Sequence, residues 1–283
     1  MPVFNITSML FPGGKGKALT LSYDDGVTQD RRLVALLNEY GVKGTFNLNS
    51  ALLGQSGTRF ENNREVDTSR LPAEEIPALY RGHEIATHGA HHAAMTGRGP
   101  AAACEVLDDR RALEALCGTL VRGHAYPFGL YDPQVLAMLR ASGICYARTV
   151  RSTNSFALPE NFLAWDPTCH HNDPELMALA ERFCTWEPRY GEPQLFYLWG
   201  HAYEFDIWDN WDVIGRFLER VADCRDKIWM ASNLEICEYL HAFGQLVFSA
   251  DGARAYNPTA AELWLRVEGT PRRIPAGETV TLK

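Results

Sequence analysis

The sequence lacks any apolar run that approaches the roughly 18 residues needed to span a bilayer. It also lacks a run rich in Lys and Arg, and its formal net charge is −8. A chain of this charge is poorly suited to a phosphate backbone, so we expect neither nucleic acid nor a membrane as a partner. The start of the chain, Met1 to Thr7, has neither the basic residues nor the apolar core of a secretory signal. We therefore expect a cytoplasmic protein, or a secreted one if a signal precedes this sequence.

The sequence also lacks the cysteine pattern of a disulfide framework. Its seven cysteines are odd in number, and none forms a Cys-x-x-Cys pair. Several lie inside helix-like or strand-like segments, where a small apolar residue would serve as well. This usage suits a reducing compartment.

The bulk composition is that of an ordinary globular protein. Of the 283 residues, 46% are hydrophobic and 22% are charged, which is enough to build a large core. This length fits one large α/β barrel domain and a small appendage. Oligomeric state cannot be inferred from these properties.

Strand-like and helix-like segments alternate along most of the chain. Strands are predicted near 18–24, 43–48, 83–87, 119–126, 143–150, 195–200 and 227–231. Helices are predicted near 29–40, 72–81, 101–116, 132–142, 173–186, 209–225 and 233–242. The polar segment 51–70 is interpreted as a long loop on the rim of a substrate cleft. This alternation predicts an α/β fold, an irregular or incompletely closed (β/α) barrel over residues 1–243.

The character of the sequence changes from about residue 244. Short strand-like stretches at 245–249, 263–267 and 279–282 are separated by Gly and Pro turns. We interpret residues 244–283 as a small β-rich appendage that packs on the barrel.

Two adjacent carboxylates, Asp24 and Asp25, follow the apolar run from Ala18 to Leu21. Two acidic side chains at the end of a buried strand are costly unless something uses them. The turn at Gly26 can aim the two neighbours differently. One carboxylate could then hold a metal while the other faces a water. A solvated loop after the strand is the alternative.

A cluster of histidines forms the second signal, at His88, His91 and His92. His88 and His92 are four residues apart, so on a helical turn they share one face and can chelate one ion. A pair made of His88 and His91 is also sterically possible. With Asp25, two histidines complete a set that leaves a metal coordination position open for water.

Two further motifs lie where predicted strands give way to loops. The turn in Ala125-Tyr-Pro-Phe-Gly129 could present backbone N–H groups to an oxyanion. The segment Leu198-Trp-Gly-His201 ends another apolar run. In parallel barrels the active site lies at the carboxyl ends of the strands, which is where all four motifs fall.

Together these motifs resemble those of the polysaccharide deacetylase family, the carbohydrate esterases of family 4 with a NodB homology domain. Four of that family's five motifs occur in order, and they span residues 18 to about 205. The resemblance implies that Asp24 is the general base and His201 the general acid. It also implies that the backbone N–H of Phe128 lines the oxyanion hole.

The same resemblance implies one divalent metal held by Asp25, His88 and His92, with His91 outside the coordination sphere. Zinc suits two imidazoles and a carboxylate best, although cobalt, nickel or iron would also fit them. The implied activity is removal of an N-acetyl or O-acetyl group from a sugar or oligosaccharide. An amidohydrolase acting on a small non-sugar amide and a non-catalytic carbohydrate-binding barrel are the alternatives.

The sequence departs from the family pattern at two points. Where the third motif usually has an Arg that tethers the base, this chain has Ala125, and we expect Arg148 to replace it, with Arg122 as the alternative. The fourth motif is matched only loosely, by Trp165-Asp166, which makes Asp166 a candidate partner of His201, with an ordinary loop residue as the alternative.

Aromatic residues near the motifs are candidates for stacking on a sugar ring. They are Tyr126, Trp199 and Tyr203, with Trp208 and Trp211 further along the last loop. Packing in the core is the alternative role for each of them.

Overall fold

The computed structural model describes residues 8–282. Its helices are α1 (Asp30–Tyr40), α2 (Ile76–Leu79), α3 (Pro100–Cys117), α4 (Pro133–Ala141), α5 (Leu176–Thr185), α6 (Glu204–Trp208), α7 (Trp211–Ala222) and α8 (Asn233–Phe243). Its strands are β1 (Ser8–Leu10), β2 (Lys17–Asp24), β3 (Thr45–Leu48), β4 (Thr58–Glu61), β5 (Arg64–Asp67), β6 (Glu84–Thr87), β7 (Gly123–Ala125), β8 (Tyr146–Arg148), β9 (Cys169–His170), β10 (Gln194–His201), β11 (Ile228–Met230), β12 (Val247–Phe248), β13 (Arg254–Tyr256), β14 (Leu263–Val267), β15 (Thr270–Ile274) and β16 (Thr279–Thr281).

Eight parallel strands form one curled sheet, in the order β8-β7-β6-β3-β2-β10-β9, with β11 pairing beside β3 on the edge of β2. The path ends at β8 and β9, and no ladder in the described part of the chain joins these two strands. The expected α/β barrel, irregular and incompletely closed, is confirmed. The eight strands of this sheet all run in the same direction, so their carboxyl ends meet at one end of the barrel.

The central strands are buried on both faces. Every residue of β2 is buried, as is every residue of β10 except the last, His201. Helix α7 covers them with an apolar stripe that contains Ile214, Phe217, Leu218 and Val221. This burial keeps the ends of β2 and β10 at fixed positions, which places the polar residues that follow them.

The structure differs from the sequence-based assignment in several segments. The interpretation of 51–70 as one long loop is wrong, because β4 and β5 pair there as an antiparallel hairpin. The helix predicted near 209–225 begins at Trp211, and the separate short helix α6 ends just before Asp209, which has a φ of 52°. Strands β1, β9, β13 and β15 were not predicted either.

The C-terminal segment contains two small antiparallel sheets, β12-β13-β16 and β1-β14-β15. Strand β14 pairs with β1, from the opposite end of the chain. Leu263 of β14 packs in one cluster with Ala18 and Leu195 of the central strands. A domain boundary after residue 243 stays a prediction.

None of the helices within residues 8–282 is both long enough and apolar enough to cross a membrane. The compartment of the protein stays a prediction.

Gly123 lies where β7 passes directly beneath the Tyr146 hydroxyl. A Cβ added at Gly123 would lie 2.1 Å from the Tyr146 oxygen, which donates to Glu84 at 2.6 Å. We expect Gly123→Ala to lower the free energy of unfolding by about 1–3 kcal/mol, because a buried side chain must move to make room. Urea denaturation measures this change. Gly215→Ala in α7 is the matched control, since no atom lies within 4 Å of its added Cβ, and it should not destabilise the protein.

Candidate active site

Asp24 and His201 are the last residues of the two central strands, and they lie side by side. They are register partners at the carboxyl ends of β2 and β10, and Asp24 Oδ2 lies 3.8 Å from His201 Nε2. The structure therefore brings together the predicted base and the predicted acid at the carboxyl ends of the strands.

Both oxygens of the Asp24 carboxylate are held by donors. Asn47 Nδ2 donates to Oδ1 at 2.8 Å, and the buried guanidinium of Arg148 donates to Oδ2. Burial alone would raise the pKa of Asp24, but the positive charge of Arg148 helps to reverse the shift, and the net pKa is lowered. Asp24 is thus an oriented, ionised carboxylate.

Arg148 reaches Asp24 from a neighbouring strand. Arg148 is the last residue of β8 and pairs in register with Ala125. Ala125 occupies the motif position at which the family that these motifs resemble usually has an Arg. The other candidate, Arg122, instead pairs with Glu238 at 2.7 Å near the surface. Asn47 was not singled out from the sequence, although a polar residue in the buried strand β3 is itself a signal.

Asp25, His88 and His92 converge on one point beside Asp24. One ligand atom from each lies within 4.8 Å of the others, and both histidine Nε2 atoms lie 4.0 Å from Asp25 Oδ1. Asp25 Oδ1 is buried and accepts no well-aligned hydrogen bond within residues 8–282. Arg70 Nη2 lies 3.0 Å from it as an ion pair. The oxygen is therefore left with unused ligand capacity.

The protonation of His88 suits a metal ligand. Its Nδ1 lies 2.8 Å from the backbone oxygen of Ala125, which can only accept, so Nδ1 carries the proton and Nε2 keeps its lone pair. Burial lowers the pKa of His88 to about 4, and burial also lowers the pKa of His92. Two neutral imidazoles and one carboxylate fit a divalent transition metal such as zinc.

Three residues of the site have left-handed backbone conformations. The φ angles are 85° for Asp25, 55° for His92 and 60° for Phe128. Such a conformation costs a non-glycine residue about 1–3 kcal/mol, and it is concentrated at functional sites. The His88–His92 segment is therefore a tight turn, in which the His92 N–H donates to Gly89 O at 3.2 Å, rather than the helical turn expected.

His91 points away from this centre. Its side chain is 66% exposed, and its Nδ1 lies 3.1 Å from Glu105. The structure thus separates His91 from the group formed by Asp25, His88 and His92.

The structure does not bring Asp166 to His201. The Asp166 carboxylate accepts from Thr149 and from Arg151, because both follow β8 directly and lie closer to it. The carboxylate beside His201 is Glu204, which lies 3.3 Å from Nδ1 and accepts the His201 backbone N–H at 3.0 Å. Burial would lower the pKa of His201, but the hydrogen bond and charge of Glu204 raise it to about 9. The i, i+3 spacing of His201 and Glu204 is the feature of the sequence from which this contact could have been predicted.

A second group of metal-ligand type, His170, His171 and Glu204, surrounds the same carboxylate. The two Nε2 atoms lie 3.0 and 3.1 Å from Glu204 Oε2. His170 Nδ1 accepts the backbone N–H of Asn172 at 3.1 Å, so Nε2 carries the ring proton and donates to Glu204. We assign this group as a hydrogen-bonded support for Glu204 rather than as a metal site.

Comparison with known proteins agrees with the fold and the motifs. Residues 12–147 match the family model described as polysaccharide deacetylase, and this stretch carries Asp24, Asp25, His88, His92 and Phe128. The resemblance to the polysaccharide deacetylase family is confirmed. No curated protein matches the chain by sequence.

Solved structures with this fold include a Mycobacterium smegmatis protein classed as a polysaccharide deacetylase. It is 18% identical, with a TM-score of 0.60, over 86% of this chain and 96% of that chain. At this identity the match shows a shared fold. A family 4 carbohydrate esterase from Streptomyces lividans, in complex with acetate, is 16% identical over 77% of this chain and 93% of its own, with a TM-score of 0.49.

The aromatic residues predicted to touch substrate are mostly enclosed in the barrel. Tyr126 is buried and donates to Leu163 O at 2.6 Å, so its ring offers no face to a ligand. Trp199 is buried beneath the Arg148 guanidinium, which lies 4.3 Å from its ring centre. Tyr203 is also buried, and its hydroxyl accepts from Arg59 at 3.3 Å. By contrast the Phe128 ring is exposed and packs edge-on against His92.

Proposed function

We propose that this chain is a metal-dependent hydrolase that removes an N-acetyl or O-acetyl group from a carbohydrate. One observation carries the proposal: a tethered, ionised carboxylate, Asp24, lies directly beside a convergent donor set made of Asp25, His88 and His92. A base next to a metal site is one arrangement that hydrolyses an unactivated acyl group.

The donor set would hold one divalent ion, with zinc the best match to its ligands. When bound, such an ion polarises the acetyl carbonyl and lowers the pKa of a water molecule. Asp24 then takes a proton from the attacking water, and its orientation is kept by Asn47 and Arg148. The backbone N–H of Phe128 is assigned to the developing oxyanion.

His201 completes the reaction as the proton donor to the leaving amine or alkoxide. Its Nε2 faces Asp24, and Glu204 holds its Nδ1 side, so the protonated imidazole is stabilised and oriented. The products are acetate and either a free amine or a free hydroxyl on the sugar.

An acetate-release screen tests this proposal. Protein reconstituted with zinc is incubated with chitooligosaccharides, acetylated xylan fragments and peptidoglycan fragments, and with small non-sugar acetamides in parallel. We expect acetate from at least one carbohydrate, and its release by the Asp24→Asn variant should be about 10²–10⁴-fold slower. Hydrolysis of small amides alone would favour an amidohydrolase, and carbohydrate binding without acetate release would favour a non-catalytic barrel.

Arg148 is expected to position the base. Arg148→Ala removes the donor to Asp24 Oδ2 and leaves a buried carboxylate with fewer partners, so we expect kcat to fall about 10–100-fold with little change in KM. Steady-state kinetics on the substrate found above measures both constants. Arg122→Ala is the matched control. It also removes an arginine, but one whose ion pair with Glu238 lies near the surface, so kcat should remain unchanged. A kcat of the Arg148→Ala variant equal to that of the parent protein would contradict this role.

A further inference from the structure

A second groove lies at the opposite end of the barrel, where β10 begins. We call it the lower groove, and its volume is about 680 Å³. It is lined by residues that include Phe156, Arg182, Trp186, Tyr190 and Gln194. Seven residue steps along β10 separate Gln194 from His201, or about 23 Å at 3.3 Å per residue. The lower groove is therefore distinct from the site at the carboxyl ends of the strands.

Two large aromatic side chains in this groove are exposed. Trp186 is 52% exposed and Tyr190 is 62% exposed, and both lie on the segment that joins α5 to β10. Flat aromatic faces with polar edges suit a ligand that has both apolar C–H faces and polar groups. A sugar ring has this character, because its C–H bonds form one face and its hydroxyls form the rim.

A buried amide in the lining lacks partners. Gln194 is 3% exposed, and neither its Oε1 nor its Nε2 has a hydrogen-bond partner among the described residues. Leaving such a group unpaired costs about 1–3 kcal/mol. A ligand that meets both atoms must offer a donor and an acceptor together, as a hydroxyl or an acetamido group does.

Contacts with neighbouring residues hold the segment that carries Trp186 in place. The buried Lys17 Nζ donates to Trp186 O at 2.8 Å and pairs with Glu187 at 3.1 Å. Arg182 donates to Asn154 O at 2.8 Å, and its guanidinium lies 4.9 Å from the centre of the Phe156 ring. These contacts hold one wall of the groove in place before a ligand arrives, which lowers the entropic cost of binding.

We propose that the lower groove is an accessory carbohydrate-binding site, with its occupant a neutral polysaccharide chain that carries hydroxyl and acetamido groups. The aromatic faces contact the sugar rings, and the Gln194 amide pairs with their polar substituents. The site goes beyond the proposed catalysis, because it binds a chain without cleaving it. A polymer long enough to engage both ends of the barrel would be held more tightly than a short oligosaccharide.

Binding to insoluble chitin, whose units carry hydroxyl and acetamido groups, tests this proposal, with cellulose, which lacks acetamido groups, as the comparison. All proteins carry Asp24→Asn, so that catalysis does not consume the polymer. We expect the parent to bind chitin, and the double variant Trp186→Ala/Tyr190→Ala to bind it at least tenfold more weakly. Tyr256→Ala, at an exposed tyrosine on β13, is the matched control and should bind like the parent.

Kinetics on the protein with Asp24 intact separates this site from the catalytic one. The double variant should deacetylate a short soluble substrate at the parent rate and an insoluble polymer more slowly. Groove-dependent binding without any acetate release would support the accessory site and refute the proposed catalysis. Equal polymer binding by parent and double variant would overturn the proposal, as would groove-dependent capture of a proline-rich peptide without polysaccharide binding.

Discussion

His88→Ala and His92→Ala are each expected to empty the metal site and to abolish hydrolysis. Each change removes one of three convergent donors and leaves a set too weak to retain a divalent ion. Metal polarisation of a carbonyl contributes several kcal/mol to the transition state, so activity should fall by at least about 10³-fold. Elemental analysis of dialysed protein measures the metal, and acetate release measures the activity.

His91→Ala is the matched control for these variants. It removes a neighbouring histidine whose side chain is exposed and contacts Glu105 rather than Asp25. Metal content and turnover should remain at the parent level. If His91→Ala alone empties the site, the assignment of the ligands is wrong.

Asp24→Asn is expected to keep the metal but lose most of the hydrolysis. The amide matches the carboxylate in shape but cannot accept a proton from water, and loss of a general base costs about 10²–10⁴-fold. Turnover of the metal-loaded variant, compared with the parent at equal metal content, measures the loss. Near-normal turnover would rule out Asp24 as the base.

The neighbouring substitution Asp25→Asn provides the contrast. Asp25 Oδ1 lies 4.0 Å from the Nε2 atoms of both His88 and His92, so this change removes a ligand rather than a base. We expect Asp25→Asn to lose metal, whereas Asp24→Asn does not. Retention of metal by both variants would contradict the division of roles between the two carboxylates.

The parts of the site that the sequence could predict are those carried by buried parallel strands. Asp24 and His201 each end a long apolar strand, and a parallel barrel brings such ends together whatever the loops do. The same reasoning places Arg148 near Asp24, because β8 follows β7 and ends at the same rim. Strand order and direction were therefore sufficient to bring distant residues into one site.

Other features depend on tertiary contacts that a single sequence does not reveal. The polar segment 51–70 has few apolar residues, yet β4 and β5 pair because Val66 is buried against the barrel. Strand β1 is only three residues long, and its partner β14 lies at the other end of the chain. Local patterns do not specify pairings of this kind.

The partner of His201 was missed for a related reason. Asp166 was only a candidate, because it matched a family motif loosely, whereas Glu204 reaches His201 through the short helix α6, which the sequence did not predict. A helix of five residues carries too little periodicity to be recognised. Its carboxylate is placed by the turn after β10 and by the two histidines of β9 and the loop that follows it.

A metal titration tests the central claim most directly. Protein stripped with a chelator is titrated with zinc while acetate release is followed on a substrate found in the screen. We predict no activity in the stripped protein and a linear rise that ends at one equivalent of zinc per chain, because one donor set holds one ion. Full activity without metal, or a rise that continues to two equivalents, would contradict the account.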